Sequence, residues 1–428
     1  MSMLRCGFAQ VEITPEPGTV YLDGYGFRMQ PSSGTRDPLY AKVCAFCTEK
    51  TRFVIIAMDI CGLNRELSHR LRGWVRSAAG LADAEFVLCA THTHAGPACG
   101  VLDGLPINGL YWDEVGQKLG KAVKEAQANA CAGHFRFAVG GGLEGGYNRR
   151  GKEIIDRRVP VCAFYDEQDV LRGVIASASC HAVCHLEFTC SADYPSVLTE
   201  AAAESFPGVP FLFLQGRGAD IDPVVKGEEG IRLVGGSLTE NVFGALKDMA
   251  GTEGWNGDSI KGAFCPTVVP MCVPSCEVME QEAAVIAAQI YQEPDTQKRH
   301  YAGVELVWRQ KMAMQAKKGI KPTVEADLQM AVIGGKWVLV FVPFEMLTPT
   351  GNAIEKMLIQ QGYAPEKCFV VGYSNQNNGY LAPAAEGGMD GYETRGAAHW
   401  YGLPECSVHS EPAVLHAFSA MLNRLSGE

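Results

Sequence analysis

Four short runs decide most of what this chain can become. Residues 52–60, 86–90, 211–215 and 337–342 are apolar almost throughout, not on alternate positions. A strand with one wet face alternates apolar and polar residues, whereas a strand covered on both faces does not. The chain therefore needs sheets with packing on both sides, and the segments between the runs can supply it. Residues 65–79 carry Leu67, Leu71, Trp74, Val75 and Ala78 at helical spacing, and further helices are expected at 112–130, 196–205, 230–246, 275–291 and 348–361. Additional strands are expected at 11–15, 39–48, 135–140, 159–165, 173–179, 261–270, 300–308 and 368–372. The segment 293–296 reads as a surface connection, and no stretch is rich enough in Pro, Gly or Ser to separate domains. The expectation is an α/β fold: one large domain over residues 1–428, with mixed buried β-sheets covered by outer helices.

Each buried run gives way to residues with chemistry. After 86–90 comes Thr91-His92-Thr93-His94-Ala95-Gly96-Pro97. In an extended chain His92 and His94 would point to one side about 7 Å apart and address one ion or its substrate. After 173–179 comes Cys180-His181-Ala182-Val183-Cys184-His185, which has two readings. It could bind structural zinc through thiolate and imidazole, but no second Cys/His pair at zinc-finger spacing completes it. The preferred reading gives His181 to a metal shared with His92.

After 211–215 comes Gly216-Arg217-Gly218-Ala219-Asp220-Ile221-Asp222-Pro223, where Asp220 and Asp222 suit acid–base work or metal binding, with a plain turn as the alternative. After 337–342 comes Glu345, which needs a cation at that place. Tyr380 and Tyr392 belong to polar, glycine-rich segments fit for a cavity rim or a long surface loop. The glycines of 141–146 lack the Lys-Ser/Thr of a phosphate loop, but Arg149 beyond them is a candidate substrate anchor. Tyr25, in the glycine-punctuated segment 22–28, can bring an aromatic ring to the same wall, and His185 is a third candidate substrate contact. Asp193 before the 196–205 helix is expected to cap it.

Composition then removes whole classes of function. With Lys+Arg 37 against Asp+Glu 48 and a formal charge of -11, the surface repels phosphate backbones, so nucleic acid is not an expected partner. No stretch reaches the roughly 18 apolar residues of a membrane span, and stable membrane association is not expected. The N-terminus shows no secretory h-region. Sixteen cysteines spread through such a chain favour reduced, buried thiols and a cytoplasmic location. Cys44-Ala45-Phe46-Cys47 lies in a strand pattern, not at the helix start that would activate a redox thiol. The expected partner is a small-molecule substrate, with self-association left open.

Taken together, Val11-Glu12-Ile13-Thr14-Pro15, Thr91-His92-Thr93-His94-Ala95-Gly96-Pro97, Ser191-Ala192-Asp193-Tyr194-Pro195 and the ordered series Glu345, Tyr380, Tyr392 resemble the catalytic domain of neutral ceramidases. These are zinc amidases that cleave the amide of N-acylsphingosines, and they have many bacterial relatives. The resemblance runs from Val11 to about Gly402. It implies Zn2+ held by His92, His181, Glu345 and Tyr380, with His94 and Arg149 facing the substrate and Tyr392 stabilising an oxyanion.

Two departures qualify what the resemblance implies. Where the family carries its serine nucleophile in a Gly-Asp-x-Ser-Pro motif, this chain reads Ala219-Asp220-Ile221-Asp222-Pro223, with Asp222 in the serine's place. The sequence runs only a little past the region of resemblance, so the family's C-terminal immunoglobulin-like domain is not expected. The expected activity is a zinc-dependent hydrolysis of a small amide, ester or lactone by activated water. Asp222, with Asp220, would act as general base provided its pocket raises its pKa, and Tyr392 and His94 would donate to the oxyanion. A carboxylate-only glycosidase and a metal-binding homologue without activity are the alternatives.

Overall fold

The computed structural model describes residues 4–426. Its largest element is an eight-stranded sheet in the order Phe211–Gln215, Leu171–Ala178, Val159–Asp166, Cys131–Gly140, Arg5–Glu12, Tyr40–Cys47, Arg52–Met58, Phe86–Ala90. The interior pairs are antiparallel, but each edge strand runs parallel to its neighbour. A second sheet orders Cys368–Val371, Trp337–Phe341, Thr323–Ile333, Ile260–Cys272 and Glu405–Cys406, again with a parallel pair at one edge, Trp337–Phe341 beside Cys368–Val371.

The two sheets lie face to face. Phe46, Phe53, Phe135, Phe164 and Leu212 of the first pack in one buried cluster with Ala331, Trp337, Phe341 and Phe369 of the second. The outer face of the first sheet is covered at one half by the helices Arg65–Ala79 and Gly109–Ala128 and at the other by Pro195–Ser205 and Gly227–Met249. The outer face of the second is covered by Thr348–Gln360 and Ser410–Ser426. This helix–sheet–sheet–helix order accounts for the unbroken apolar runs: Phe86–Ala90, Phe211–Gln215 and Trp337–Phe341 are buried at every residue, each between the inter-sheet core and a helix layer. All sixteen cysteines are free, and those of Cys44-Ala45-Phe46-Cys47 are buried strand residues.

Two local expectations need correction. Residues 300–308, expected as a strand, lie within the helix Thr296–Lys317. Asp295 starts it by accepting from the backbone N–H groups of Gln297 and Lys298, and its buried residues Trp308, Met312 and Ala313 fall at helical spacing. The alternation of Val304, Leu306 and Trp308 is therefore coincidental, and the segment 293–296, expected as a surface connection, supplies the cap. Asp193 does not cap its helix in the ordinary way. It adopts φ 62°, accepts from Tyr194 N–H at 2.7 Å and His185 N–H at 2.7 Å, and so ties the 180–185 loop to the start of the helix.

Candidate metal centre

The strands Phe86–Ala90 and Leu171–Ala178 of the first sheet, each in a parallel pair, and the parallel pair of the second release loops that meet at one place. His92 follows Ala90, His181 follows Ala178, and Glu345 follows Phe341, all within a few residues. Ligand-bearing loops beyond the carboxyl ends of parallel strands are the general pattern in open α/β sheets. The chain is not extended at His92, where φ is 64°, so simple alternation does not set the direction of His92 and His94. Tyr373 and Asn375, in the loop packed against this turn, have φ 51° and 60°. Such left-handed residues each cost about 1–2 kcal/mol and persist where surroundings over-determine them.

Second partners fix each imidazole. His92 Nδ1 donates to the Cys61 carbonyl at 2.6 Å, and His181 Nδ1 donates to the Gly218 carbonyl at 2.9 Å. A carbonyl accepts only, so both Nδ1 atoms carry the proton and both Nε2 atoms present lone pairs. These lone pairs face Glu345 Oε2, at 3.3 Å from His92 and 3.4 Å from His181. The other carboxylate oxygen, Oε1, accepts from Asn377 Nδ2 at 2.9 Å and from the Tyr401 hydroxyl at 2.6 Å. That leaves Oε2 and His181 Nε2 buried with no hydrogen-bond partner.

Three convergent, buried acceptor atoms, all within 4.8 Å of one another, fit a divalent cation. Donors about 2.0–2.2 Å from a tetrahedral zinc sit about 3.4 Å apart, close to the spacing found here. The Nδ1-to-carbonyl bonds and the Asn377 and Tyr401 contacts are the outer partners that orient metal ligands and raise their basicity.

The remaining candidates divide. Tyr380 is the strand partner of Glu345, and its hydroxyl accepts from Arg149 Nη2 at 3.0 Å. Arg149 is a hub: Nε donates to Glu393 at 2.8 Å and Nη1 to Asp222 at 3.1 Å, and its guanidinium lies 5.3 Å from the centre of the Tyr392 ring. Its donors serve protein groups, so its first task is to hold the wall together. Tyr392 is half exposed, and burial of its hydroxyl raises the pKa to about 12, which keeps it a hydrogen-bond donor. His94 Nε2 lies 3.1 Å from His92 Nε2, outside the His92–His181–Glu345 set; burial and the neighbouring imidazoles push its pKa well down, so it is neutral. Tyr25 lines the cavity with its ring 5.1 Å from that of His94 and its hydroxyl donated to the Val183 carbonyl.

Three expectations are corrected. Asp222 lines the cavity, but its pKa is lowered: burial raises it, and His181, Arg149 and Lys226 outweigh that. It is a fixed anion, not a carboxyl poised near neutrality. Asp220 is fully buried away from the cavity wall, accepting from Thr348 N–H at 2.9 Å, Thr348 Oγ1 at 2.7 Å and Asn148 Nδ2 at 2.9 Å. It joins loops and does not face a substrate.

His185, too, is absent from the cavity wall. Its Nε2 donates to Thr189 and its carbonyl accepts from Arg28 at 2.8 Å. Burial, then Arg28 and Arg36, lower its pKa to about 4. A histidine held neutral in the fold charges on unfolding, so its contribution is present above the unfolded pKa of about 6.5 and is lost as pH falls toward 4. His185→Gln is expected to lessen the fall in urea stability between pH 7 and pH 4 by up to about 3 kcal/mol. An unchanged pH dependence would remove this role.

Sequence reasoning missed Cys61, Asn377, Trp400 and Tyr401. Cys61 was legible as the first residue after a buried run, and Asn377 lies in the polar segment 373–381. The role of Tyr401 depends on a loop returning over Glu345, which carries no local signal.

Glu345, His94 and Tyr401 line a cavity of about 750 Å³, with Tyr25, Arg149, Asp222, Tyr380, Tyr392 and Trp400 also on its wall. Among the described residues no helix is long and apolar enough to cross a membrane. No protein-family model matches the chain, and no curated protein matches it in sequence. Among solved structures, neutral ceramidase from Pseudomonas aeruginosa superposes with a TM-score of 0.76 at 18% identity, over 99% of this chain and 75% of that one. A structure described as ceramidase complexed with C2 gives 0.74 at 17%, over 99% and 76%. At these identities the likeness establishes the fold: mixed sheets with outer helices, in the neutral ceramidase arrangement.

Proposed function

We propose that this chain is a zinc-dependent hydrolase of an amide, or of a related ester or lactone, in a small substrate. The observation that carries the reading is the convergence of His92 Nε2, His181 Nε2 and Glu345 Oε2, two of them buried without a hydrogen-bond partner. His92, His181 and Glu345 would hold the ion, with Tyr380 beside them as the fourth ligand. Zinc in such a site supplies a nucleophilic water near neutral pH and polarises a carbonyl.

The chain's own groups do the rest. Tyr392 and the neutral His94 donate hydrogen bonds where negative charge develops on the substrate oxygen, a contribution of about 3–4 kcal/mol for a well-placed donor. Asp222, ionised beside Arg149, accepts a hydrogen bond from the attacking water and orients it. Its lowered pKa makes it a weak base, so positioning is the larger share of its role. The same lowering counts against Asp222 as the protonated acid of a glycosidase.

A second cavity of about 750 Å³ adjoins the first and shares Tyr25, Gly26, Leu102 and Trp400 with it. Met29, Leu105, Val304 and Val307 give it an apolar wall, which supports a substrate with an apolar arm.

The test is metal analysis of the purified protein together with a panel of N-acyl, ester and lactone substrates, with and without chelator. Turnover of one substrate class that chelator abolishes and zinc restores is expected. Turnover that chelator leaves untouched would overturn the reading.

A further inference from the structure

One wall of the first cavity is built by the paired strands Gly146–Asn148 and Ile221–Pro223. Tyr147, Arg149, Arg150, Lys152, Asp222 and Lys226 come from this pair and the turns beside it, and all of them line the cavity. Asn148 shapes the turn. Its Oδ1 accepts from Arg150 N–H at 3.0 Å and its carbonyl from Gly151 N–H at 3.1 Å, which returns the chain to the cavity at Lys152.

The other cations of this wall are matched by acids. Arg149 is shared between Asp222 and Glu393, Arg150 between Glu386 and Glu393, and Lys226 Nζ lies 3.5 Å from Asp222. The remaining acids on the cavity wall are engaged elsewhere, Asp390 with Arg395 and Glu345 in the metal triad. Lys152 is exposed and enters none of these pairs, so its positive charge is left over at the rim. Lys226 is 35% exposed and makes only that long contact, so its ammonium has donors to spare on the same side.

This wall contributes nothing to the apolar second cavity, which adjoins the first at Tyr25, Gly26, Leu102 and Trp400. Glu345 and His94 line only the first. A substrate with its apolar arm in the second cavity and its reacting carbonyl at Glu345 and His94 has the first cavity for its other end, and the surplus cations are there.

We propose that this site selects amides that carry a carboxylate on the far side of the scissile bond from an apolar acyl arm, with Lys152 and Lys226 reading the carboxylate. The chemical class is an N-acyl amino acid. Hydrolysis breaks its C–N bond, the water's hydroxyl going to the acyl carbon and its proton to the leaving nitrogen. Charged groups at a rim act chiefly through selectivity, so the two lysines separate anionic from neutral and cationic substrates. The turnover part rests on the hydrolase reading above; the recognition part is measurable without it.

The test uses the full chain and three matched probes, N-octanoylglycine, N-octanoylglycinamide and N-octanoylethylenediamine, which end in an anion, a neutral amide and a cation. Calorimetry on chelator-treated protein reads binding, and kcat/KM is read on the zinc-loaded protein. The glycine probe is expected to bind about tenfold more tightly than the amide, within what two partly exposed ion pairs supply, and the amine most weakly. High salt should narrow the margin. Lys152→Gln and Lys226→Gln should each narrow it by about threefold, and the double variant should abolish it. Lys152→Glu should favour the amine over the glycine probe. Because Lys226 also touches Asp222, the Lys152 variants separate recognition from any effect on kcat. Equal binding of the three probes, binding of none, or a carboxylate preference that survives in the double variant would overturn the proposal. Carboxylate-selective binding with no hydrolysis of any probe would uphold the recognition and overturn the hydrolase reading beneath it.

Discussion

His181→Ala and Glu345→Gln are each expected to lower zinc affinity by more than about 100-fold, beyond the 10- to 100-fold typical of losing an outer partner of a metal ligand. The reason lies in how the site is built. His92 and His181 are each locked by an Nδ1-to-carbonyl bond, and Glu345 is locked by Asn377 and Tyr401, so the two ligands that remain cannot shift to compensate when one is removed. Tyr401→Phe removes only an outer partner and should fall within the 10- to 100-fold range. The series can be read without a substrate. An ion that binds the folded state alone stabilises it by about 2.7 kcal/mol at one hundred times its dissociation constant. Zinc should therefore raise the melting temperature of the native protein clearly, that of Tyr401→Phe less, and those of the two ligand variants scarcely. Equal shifts in all four proteins would mean that the ion binds elsewhere.

The features of this site that were legible in the sequence were those set by a strand and the residue just beyond it. The fully apolar runs announced strands buried on both faces, and His92 and Glu345 each follow such a run by a few residues, while His181 follows the mixed strand Leu171–Ala178. Hydrophobic patterning fixes where a buried strand stops, and so where polar side chains can emerge. It says little about what a loop does afterwards. Asp220 and Asp222 read alike in a Gly/Asp/Pro turn, yet one is engaged by Thr348 and Asn148 and the other by Arg149, partners from distant regions of the chain. His185 shares a six-residue segment with His181 but turns toward Thr189. Likewise, the direction of the His92 side chain depends on a left-handed residue that no pattern of apolar positions encodes.

Arg149→Met is expected to cost about 3–5 kcal/mol of stability, as when one member of a buried ion pair is removed. The guanidinium serves Glu393, Asp222 and the Tyr380 hydroxyl at once, and its own side chain is only 18% exposed. Methionine fills much of the volume but leaves Glu393 only with Arg150 and Asp222 only with Lys226, at 3.3 Å and 3.5 Å. The consequence for Asp222 has a definite sign. In the native fold His181, Arg149 and Lys226 depress its pKa, so its contribution to stability is present above the unfolded pKa of about 3.9 and is lost as pH falls through the lower folded value. Without Arg149 the upward push of burial is less opposed, and the acid limb of both stability and kcat/KM should move to higher pH. Arg149→Lys keeps the charge but cannot reach three acceptors with one ammonium, so it should recover some of the stability and little of the activity. Urea unfolding and pH profiles of the three proteins measure this. If Arg149→Met unfolds within about 1 kcal/mol of the native protein, the median worth of an exposed pair, Arg149 is a surface contact and not the hub of the wall.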